Sequence, residues 1–504
     1  MIRLLDCTLR DGGYYTLWDF EDLLVEKYSH LISRLPVEYI EIGYRSREQD
    51  DYYGEFFYSP IETIKKIKRG IDPSQKIALM LNAKDCLDTD IVRLLDGCGD
   101  DVTLVRIATD PDKIEHTLDL AKRLKSLGYE VAVNIMYIST IVPDHHIYKS
   151  IEGIDSYVDH LYLVDSYGSI YPDALEEMIK RFQKHSDVTL GFHGHNNIEL
   201  AFVNALRAMA CGVEMIDSTI LGMGRGAGNL KLELLLSHLQ AKEAWEVDLN
   251  ALGLLVEGFT PLLKRYRWGT NLPYIVSGSY ALPQKDVMDA IEINRYSIAS
   301  IVNTMCLSSD RSLPLFKNKR AVKSCVLIGG GASVKQSIEV IRAYLKADEN
   351  RVIIHSTSKY IDAFATLKNR QLFCVGGDEL TKLNDKESYP FIDQFVFETS
   401  PRKIDVHLPP YDNMAELEDI GFIEHFHDSP FTISLQTALD IEAEEIELIG
   451  FDGYMELKSK KEFYLMHENQ EIISAFTSKR QGLCSLTKTN YKGLDKRSIY
   501  SRVG

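Results

Sequence analysis

The sequence predicts an α/β protein: an N-terminal (β/α)8 barrel, a helical extension, and a C-terminal Rossmann-like α/β domain. Three observations carry this. Residues 1–245 alternate short β-branched runs with amphipathic helical stretches, which makes βαβ units and a parallel sheet. The alternation occurs eight times, which fits a closed barrel better than an open sheet, and polar residues gather toward the carboxyl ends of the runs, where barrel active sites lie. A second strand, glycine turn and helix pattern opens at Val322. With 504 residues, the chain also exceeds the ~250–300 at which single cores stop growing.

In chain order the strand candidates are 4–9, 39–43, 77–81, 102–108, 131–136, 160–164, 189–193 and 214–219. Arg10 and Asp11 follow the first, Glu41 lies in the second, Arg106 in the fourth and Asn134 in the fifth. Asp165 and Ser166 follow the sixth, His193 and His195 end the seventh, and Asp217 lies in the eighth. Any one of these polar groups reads as a satisfied core residue; convergence from so many strands reads as a site. Residues 246–309 are mainly helical, broken at 266–274 by glycine and proline, a segment that either caps the barrel and shapes its mouth or is a plain surface turn. Residues 310–320, charged and proline-bearing, read as a linker. Residues 321–504 form the second domain, with strands at 326–328, 352–355, 372–376 and 446–450 and a helix near 435–441. Its turn Gly329-Gly330-Gly331-Ala332-Ser333 has the layout of a phosphate-holding turn, but lacks the third glycine of a dinucleotide fingerprint and the lysine of a P-loop. A nucleotide site and a tight turn are equally compatible with it.

The composition, 45% hydrophobic and 26% charged, is that of an ordinary globular protein. A net charge of −17 argues against nucleic acid as a partner, which needs basic surface. No stretch approaches the ~20 apolar residues of a membrane span, and no signal peptide is recognised. Eight cysteines without a CxxC pair fit reduced thiols in a cytoplasmic protein. A homo-oligomer is expected.

The chemistry begins with Gly191-Phe192-His193-Gly194-His195-Asn196-Asn197. On a strand, side chains at i and i+2 share a face, so His193 and His195 can offer two imidazoles to one ion. Leu4-Leu5-Asp6-Cys7-Thr8-Leu9-Arg10-Asp11-Gly12-Gly13 reads as another strand ending in a cation and a carboxylate, which points to a divalent-metal site with an arginine beside it.

Together, Asp6-Cys7-Thr8-Leu9-Arg10-Asp11-Gly12, His193-Gly194-His195-Asn196 and Gly222-Met223-Gly224-Arg225-Gly226-Ala227-Gly228-Asn229 resemble the metal-dependent lyase and aldolase superfamily of TIM barrels. That superfamily includes 4-hydroxy-2-oxovalerate aldolase, hydroxymethylglutaryl-CoA lyase and isopropylmalate synthase. The resemblance implies Asp11, His193 and His195 as metal ligands, Arg10 as the catalytic cation, and Asn229 as a residue reaching the metal or the substrate. Manganese or magnesium suits the site, and imidazole also admits zinc or cobalt. Glu41 is expected to orient Arg10 through a charge-assisted hydrogen bond, and Asp165 and Ser166 to contact substrate. The glycines of 222–228 are expected to let backbone approach the substrate closely. One departure matters: where the oxovalerate aldolases carry an acid/base histidine, three residues after the metal aspartate, this chain has Tyr14. The implied activity joins or releases a pyruvate-type enolate and an aldehyde. The alternatives are a Claisen-type condensation of an acyl-CoA with a 2-keto acid, or an inactive barrel serving as a scaffold. The second domain faintly resembles nucleotide-sugar-dependent transferases, so a nucleotide or nucleotide sugar is its expected ligand.

Overall fold

Eight strands pair side by side in chain order: β1 (Arg3–Asp6), β2 (Tyr39–Tyr44), β3 (Lys76–Asn82), β4 (Leu104–Thr109), β5 (Glu130–Ile135), β6 (His160–Asp165), β7 (Thr189–Gly194) and β8 (Met215–Ser218). All pairs are parallel, and β8 closes on β1 with Leu5 opposite Asp217. The computed structural model describes residues 2–293, 296–306, 313–317, 321–376, 379, 389–398, 413–454 and 460–503. Period-two alternation sorts the side chains of each strand. Leu4, Ile40, Leu79, Ile107, Val133 and Leu161 point outward into the layer beneath the helices. Leu5, Tyr39, Ala78, Leu104, Ala132 and Met215 fill the interior.

All eight predicted strands are present. The first is shorter than its apolar run implies, because β1 stops at Asp6 and helix α1 (Thr8–Thr16) begins two residues later. The Asp6 carboxylate accepts the Thr8 amide (3.1 Å) and hydroxyl (2.8 Å), folding the chain out of the strand. Asp11 in the first helical turn sits where the helix dipole favours an anion. Arg10 and Asp11 are thus helical residues above the barrel's end.

Two compact units emerge, Met1–Met288 and Asp289–Gly504. The helices Leu249–Tyr266 and Leu272–Ser279 belong to the first unit, and the division falls within the helix Gln284–Ile293. Of the expected linker, 310–312 and 318–320 lie outside the described residues. Within 313–317, Leu315 bridges Glu416, and the Phe316 amide donates to the Glu416 carbonyl (2.7 Å).

The second unit is a single parallel sheet built from β9 (Ser324–Ile328), β10 (Val352–His355), β11 (Gln371–Val375), β12 (Gln394–Phe397), β13 (Met414–Glu416), β14 (Glu445–Ile449), β15 (Leu483–Ser485) and β16 (Asp495–Lys496). Its order is β13-β12-β11-β10-β9-β14-β15-β16. The chain starts at the centre, winds outward to β13, then crosses to β14 on the other side of β9. That is a doubly wound, Rossmann-like arrangement whose switch point lies between β9 and β14. No helix among the described residues is long and apolar enough to cross a membrane.

Candidate active site

Strand β7 carries His193 inward, and His195 follows one residue beyond its end, with ring centroids 5.0 Å apart. Each ring is oriented through Nδ1. His193 Nδ1 donates to Asp217 Oδ2 on β8 (2.9 Å), and His195 Nδ1 donates to the Asp165 carbonyl at the end of β6 (2.8 Å). Both Nε2 atoms are left as lone-pair donors, the arrangement that second-sphere carboxylates and carbonyls impose on metal-binding histidines. Burial, with His193 alongside, pushes His195 down to about 3, so it stays neutral.

Across the mouth, His193 Nε2 lies 3.5 Å from Asp11 Oδ2. Burial alone would raise the Asp11 carboxyl, but Arg10, then His193 and His195, hold it below the usual range. Asn229 Nδ2 donates to the same Asp11 oxygen (2.5 Å), while Asn229 Oδ1, fully enclosed, meets no partner among the described residues. Asp11 Oδ2, His193 Nε2 and the orphaned oxygen of the Asn229 amide bonded to Asp11 offer mixed oxygen and nitrogen donors that fit a divalent ion, and the His195 ring beside His193 brings a second imidazole. The Cys7 thiol faces the same carboxylate at 3.9 Å, and its ligand atom groups with those of Asp11 and His193. Burial and the Asp11 charge push that thiol up, so it stays protonated.

Beneath the donor set lies a closed array of charge. Arg10 pairs with Asp11 through Nη1 and donates Nε–H to Glu41 Oε2 (2.8 Å). Arg106 stands 3.1 Å from the same Glu41 oxygen, donates to Asp217 Oδ2 (2.6 Å) and Asn134 Oδ1 (3.3 Å), and stacks 4.1 Å above the Tyr162 ring. Glu41 thus touches two guanidinium groups, one of them the Arg10 group that it was expected to orient.

Loop 222–229 shows what its glycines do. Gly222, Gly226 and Gly228 have positive φ, and a Cβ on Gly228 would overlap the Gly222 carbonyl. A Cβ on Gly224 would meet the Asn229 amide at 2.6 Å. The loop is thus wound tightly around Asn229 and sets its position. Segment 266–274 is bonded to the mouth loops: Trp268 Nε1 donates to the Leu221 carbonyl (3.0 Å), Gly269 N to Gly226 (3.1 Å) and Thr270 Oγ1 to Asn196 (3.1 Å).

The remaining sequence candidates are placed as follows. Tyr14, on α1, has its hydroxyl 3.2 Å from that of Tyr44, with the Arg225 guanidinium 4.2 Å above its ring. The Asp165 carboxylate is turned back onto the amides of Ser169 (3.0 Å) and Ile170 (3.1 Å), and burial pushes it up to about 6. Ser166 Oγ accepts the Tyr137 amide (2.8 Å). Both side chains bond to loop backbone and shape the loops that hold His195. Cys7 lies inside the first motif but has no role assigned from the sequence, and Tyr44 and Tyr162 belong to no motif.

Two other clusters were tested for a ligand. Asp112, His145 and His146 gather on the surface, but His145 Nδ1 accepts the Ile147 amide, so its Nε2 carries the proton facing Asp112. In the second unit, Asp452 accepts the Ser333 amide (2.8 Å) and also its hydroxyl, filling the helix N-terminus behind the Gly329–Gly331 turn with a carboxylate. A nucleotide phosphate at that turn would meet like charge.

The HMGL-like family profile matches residues 1–255. Similar curated proteins include an oxaloacetate decarboxylase of Mycobacterium tuberculosis, 28% identical over 250 residues that make up 47% of this chain and 70% of the relative. A 4-hydroxy-2-oxovalerate aldolase of Pelotomaculum thermopropionicum is 30% identical over 256 residues, 49% of this chain and 73% of the relative. Among solved structures, the N-terminal domain of a candidate aldolase from Bacteroides vulgatus is 43% identical, with a TM-score of 0.57, covering 60% of this chain and 99% of that one. The profile spans the complete barrel, and the chain belongs to the HMGL-like family, among the metal-dependent aldolase and lyase TIM barrels.

Proposed function

We propose that the barrel makes or breaks a carbon–carbon bond of a 2-keto acid by way of its enolate, with Asp11, His193 and His195 holding a divalent ion and Asn229 beside it. The observation that carries this is the pair of Nε2 atoms left free by Asp217 and the Asp165 carbonyl, that of His193 lying 3.5 Å from Asp11 and the His195 ring 5.0 Å from the His193 ring. A bound ion would supply Lewis acidity to the keto acid's oxygens. Arg10 contributes fixed positive charge where the keto oxygen gains negative charge; locked by Glu41 and Asp11, it needs no reorganisation as the bond breaks. The Tyr14 hydroxyl, paired with that of Tyr44 and three residues beyond Asp11, is our candidate to carry a proton to or from the enolate carbon or the aldehyde oxygen. The donor set, with oxygen from Asp11 and Asn229, suits manganese or magnesium. Decarboxylation of a 2-oxo diacid passes through the same enolate, consistent with the decarboxylase among the relatives.

The test is deuterium exchange into the methyl group of pyruvate by the full-length chain, stripped of metal and reloaded with Mn2+. Exchange is expected with metal and lost by at least ~10²-fold without it or in His195→Ala, since such preorganised groups contribute at least that much. No exchange with any divalent ion sinks the keto-acid reading. Release of free thiol from an acyl-CoA with a keto acid would instead identify a condensing transferase.

A further inference from the structure

We propose that the reaction partner of the keto acid carries its own anionic group, a carboxylate or a phosphate, and that Arg225 receives it. This deepens the keto-acid reading and rests on it.

Three guanidinium groups serve the barrel mouth, and they are treated differently. Arg10 meets Asp11 and Glu41; Arg106 meets Glu41 and Asp217. Among the described residues, Arg225 meets no carboxylate within 4.0 Å and no hydrogen-bond acceptor through its side chain. It rests instead on the face of Tyr14, 4.2 Å from the ring centre. Stacking satisfies the face of a guanidinium and leaves its in-plane N–H fork unused, and that fork matches a carboxylate or phosphate edge. A partly buried cation in this state is short of an anion.

Charge points the same way. Asp11, Glu41 and Asp217 outnumber Arg10 and Arg106 by one negative charge, which a divalent ion turns into one positive. The carboxylate of a keto acid cancels that, and Arg225 remains unmatched until a second anion arrives. The position also fits. Tyr14 follows Asp11 by three residues on α1, so the two are neighbours on one helix face, and Arg225 covers Tyr14. Arg225 therefore borders the face of α1 that carries Asp11, on the side of Tyr14.

The loop presents Arg225 rigidly. The Gly226 carbonyl next to it accepts both the Tyr15 hydroxyl (3.2 Å) and the Gly269 amide (3.1 Å), while Asn229 at the loop's end is bonded to Asp11. A guanidinium fixed in this way selects among substrates and needs no induced closure.

The test uses Mn2+-loaded full-length enzyme, pyruvate, and aldehyde pairs of matched length: butanal against succinate semialdehyde, and glycolaldehyde against its phosphate. Wild type is expected to prefer one anionic member over its neutral counterpart by at least 30-fold in kcat/KM, and which pair shows the preference tells carboxylate from phosphate. In Arg225→Gln that ratio is expected to fall below 3-fold through KM, with Arg225→Lys partly restoring it. A second arm needs no turnover: calorimetry of 2-oxoglutarate against 2-oxopentanoate on the same enzyme, where the diacid is expected to bind at least 10-fold tighter in wild type only. Pyruvate deuterium exchange in wild type keeps the two readings apart. Exchange with no anionic preference, or with a preference that survives Arg225→Gln, overturns the Arg225 assignment alone. Absent exchange overturns the keto-acid reading, and the calorimetric arm then decides on Arg225: equal binding of diacid and monoacid sinks it.

Discussion

At Asp217 a single carboxylate oxygen accepts both Arg106 Nη2 and His193 Nδ1–H, and the side chain is completely enclosed. Burial would raise this carboxyl, but Arg106 and the His193 bond hold it below the usual range, so it stays charged. It acts on the donor set only by fixing which nitrogen of His193 is free. Asp217→Asn keeps the shape and lets the amide present the wrong group to Nδ1. Metal affinity is expected to fall by about 10–100-fold, the usual effect of losing such an orienting partner. The check is a metal titration followed by activity at saturating Mn2+. Recovery of activity at high metal supports the orienting role; loss that no metal concentration restores would make Asp217 a fold residue only. The variant also leaves Arg106 with one carboxylate instead of two, and a stability loss of about 3 kcal/mol is expected in urea unfolding.

The elements differ in how plainly the sequence declares them. The histidine pair was legible because period two puts His193 and His195 on one side of β7 without help from the rest of the fold. The members of the array around Arg106 were legible as strand-end polar residues, but their pairings were not, since Glu41, Asn134 and Asp217 come from three other strands and only closure of the barrel makes them partners. In the second unit the sequence does not declare β12, β13, β15 and β16, because strands of two to four residues are too short for their alternation to be read. The glycine loop was legible from its motif with closeness to the substrate as its expected role, and the structure adds crowding against Asn229 and Gly222. That packing role is testable. Gly228→Ala, at φ +77° with its Cβ driven into the Gly222 carbonyl, is expected to cost at least ~2 kcal/mol and to weaken metal binding by displacing Asn229. Gly253→Ala, inside the helix Leu249–Tyr266 with open space around its Cβ, is expected to stabilise by about 0.5–1 kcal/mol and leave metal affinity unchanged. Equal behaviour of the two variants in thermal unfolding and metal titration would refute this account of the loop.

For the whole chain, acid should act unequally on the two units, because each buries its titrating groups in a different balance. The first unit holds His195 and His160, pushed down by burial to about 3 and about 4, but also Asp6 and Asp165, both pushed up to about 6 by burial. A lowered histidine gives stability that is present above its unfolded value of about 6.5 and is lost as pH falls toward its folded value. A raised carboxyl behaves oppositely: its contribution is complete below its unfolded value and is lost as pH rises through 6. On acidification these effects oppose each other in the barrel. In the second unit, His355 ends β10 wholly buried, donating Nε2–H to Gln371 Oε1 (2.8 Å), and burial lowers it to about 4. Between pH 7 and 4.5 that single group is expected to cost the unit about 2 kcal/mol, a few tens-fold in its opening equilibrium. Amide hydrogen exchange of the full chain, corrected for intrinsic rates and read by peptide, resolves the two units in one experiment. Peptides of β9, β10 and β14 should lose protection on acidification more steeply than those of β3, β4 and β5. His355→Gln keeps a donor for Gln371 without a titrating ring, so it should flatten the first response and leave the second as it was. An unchanged slope in that variant would show that another group drives the acid sensitivity of the doubly wound sheet.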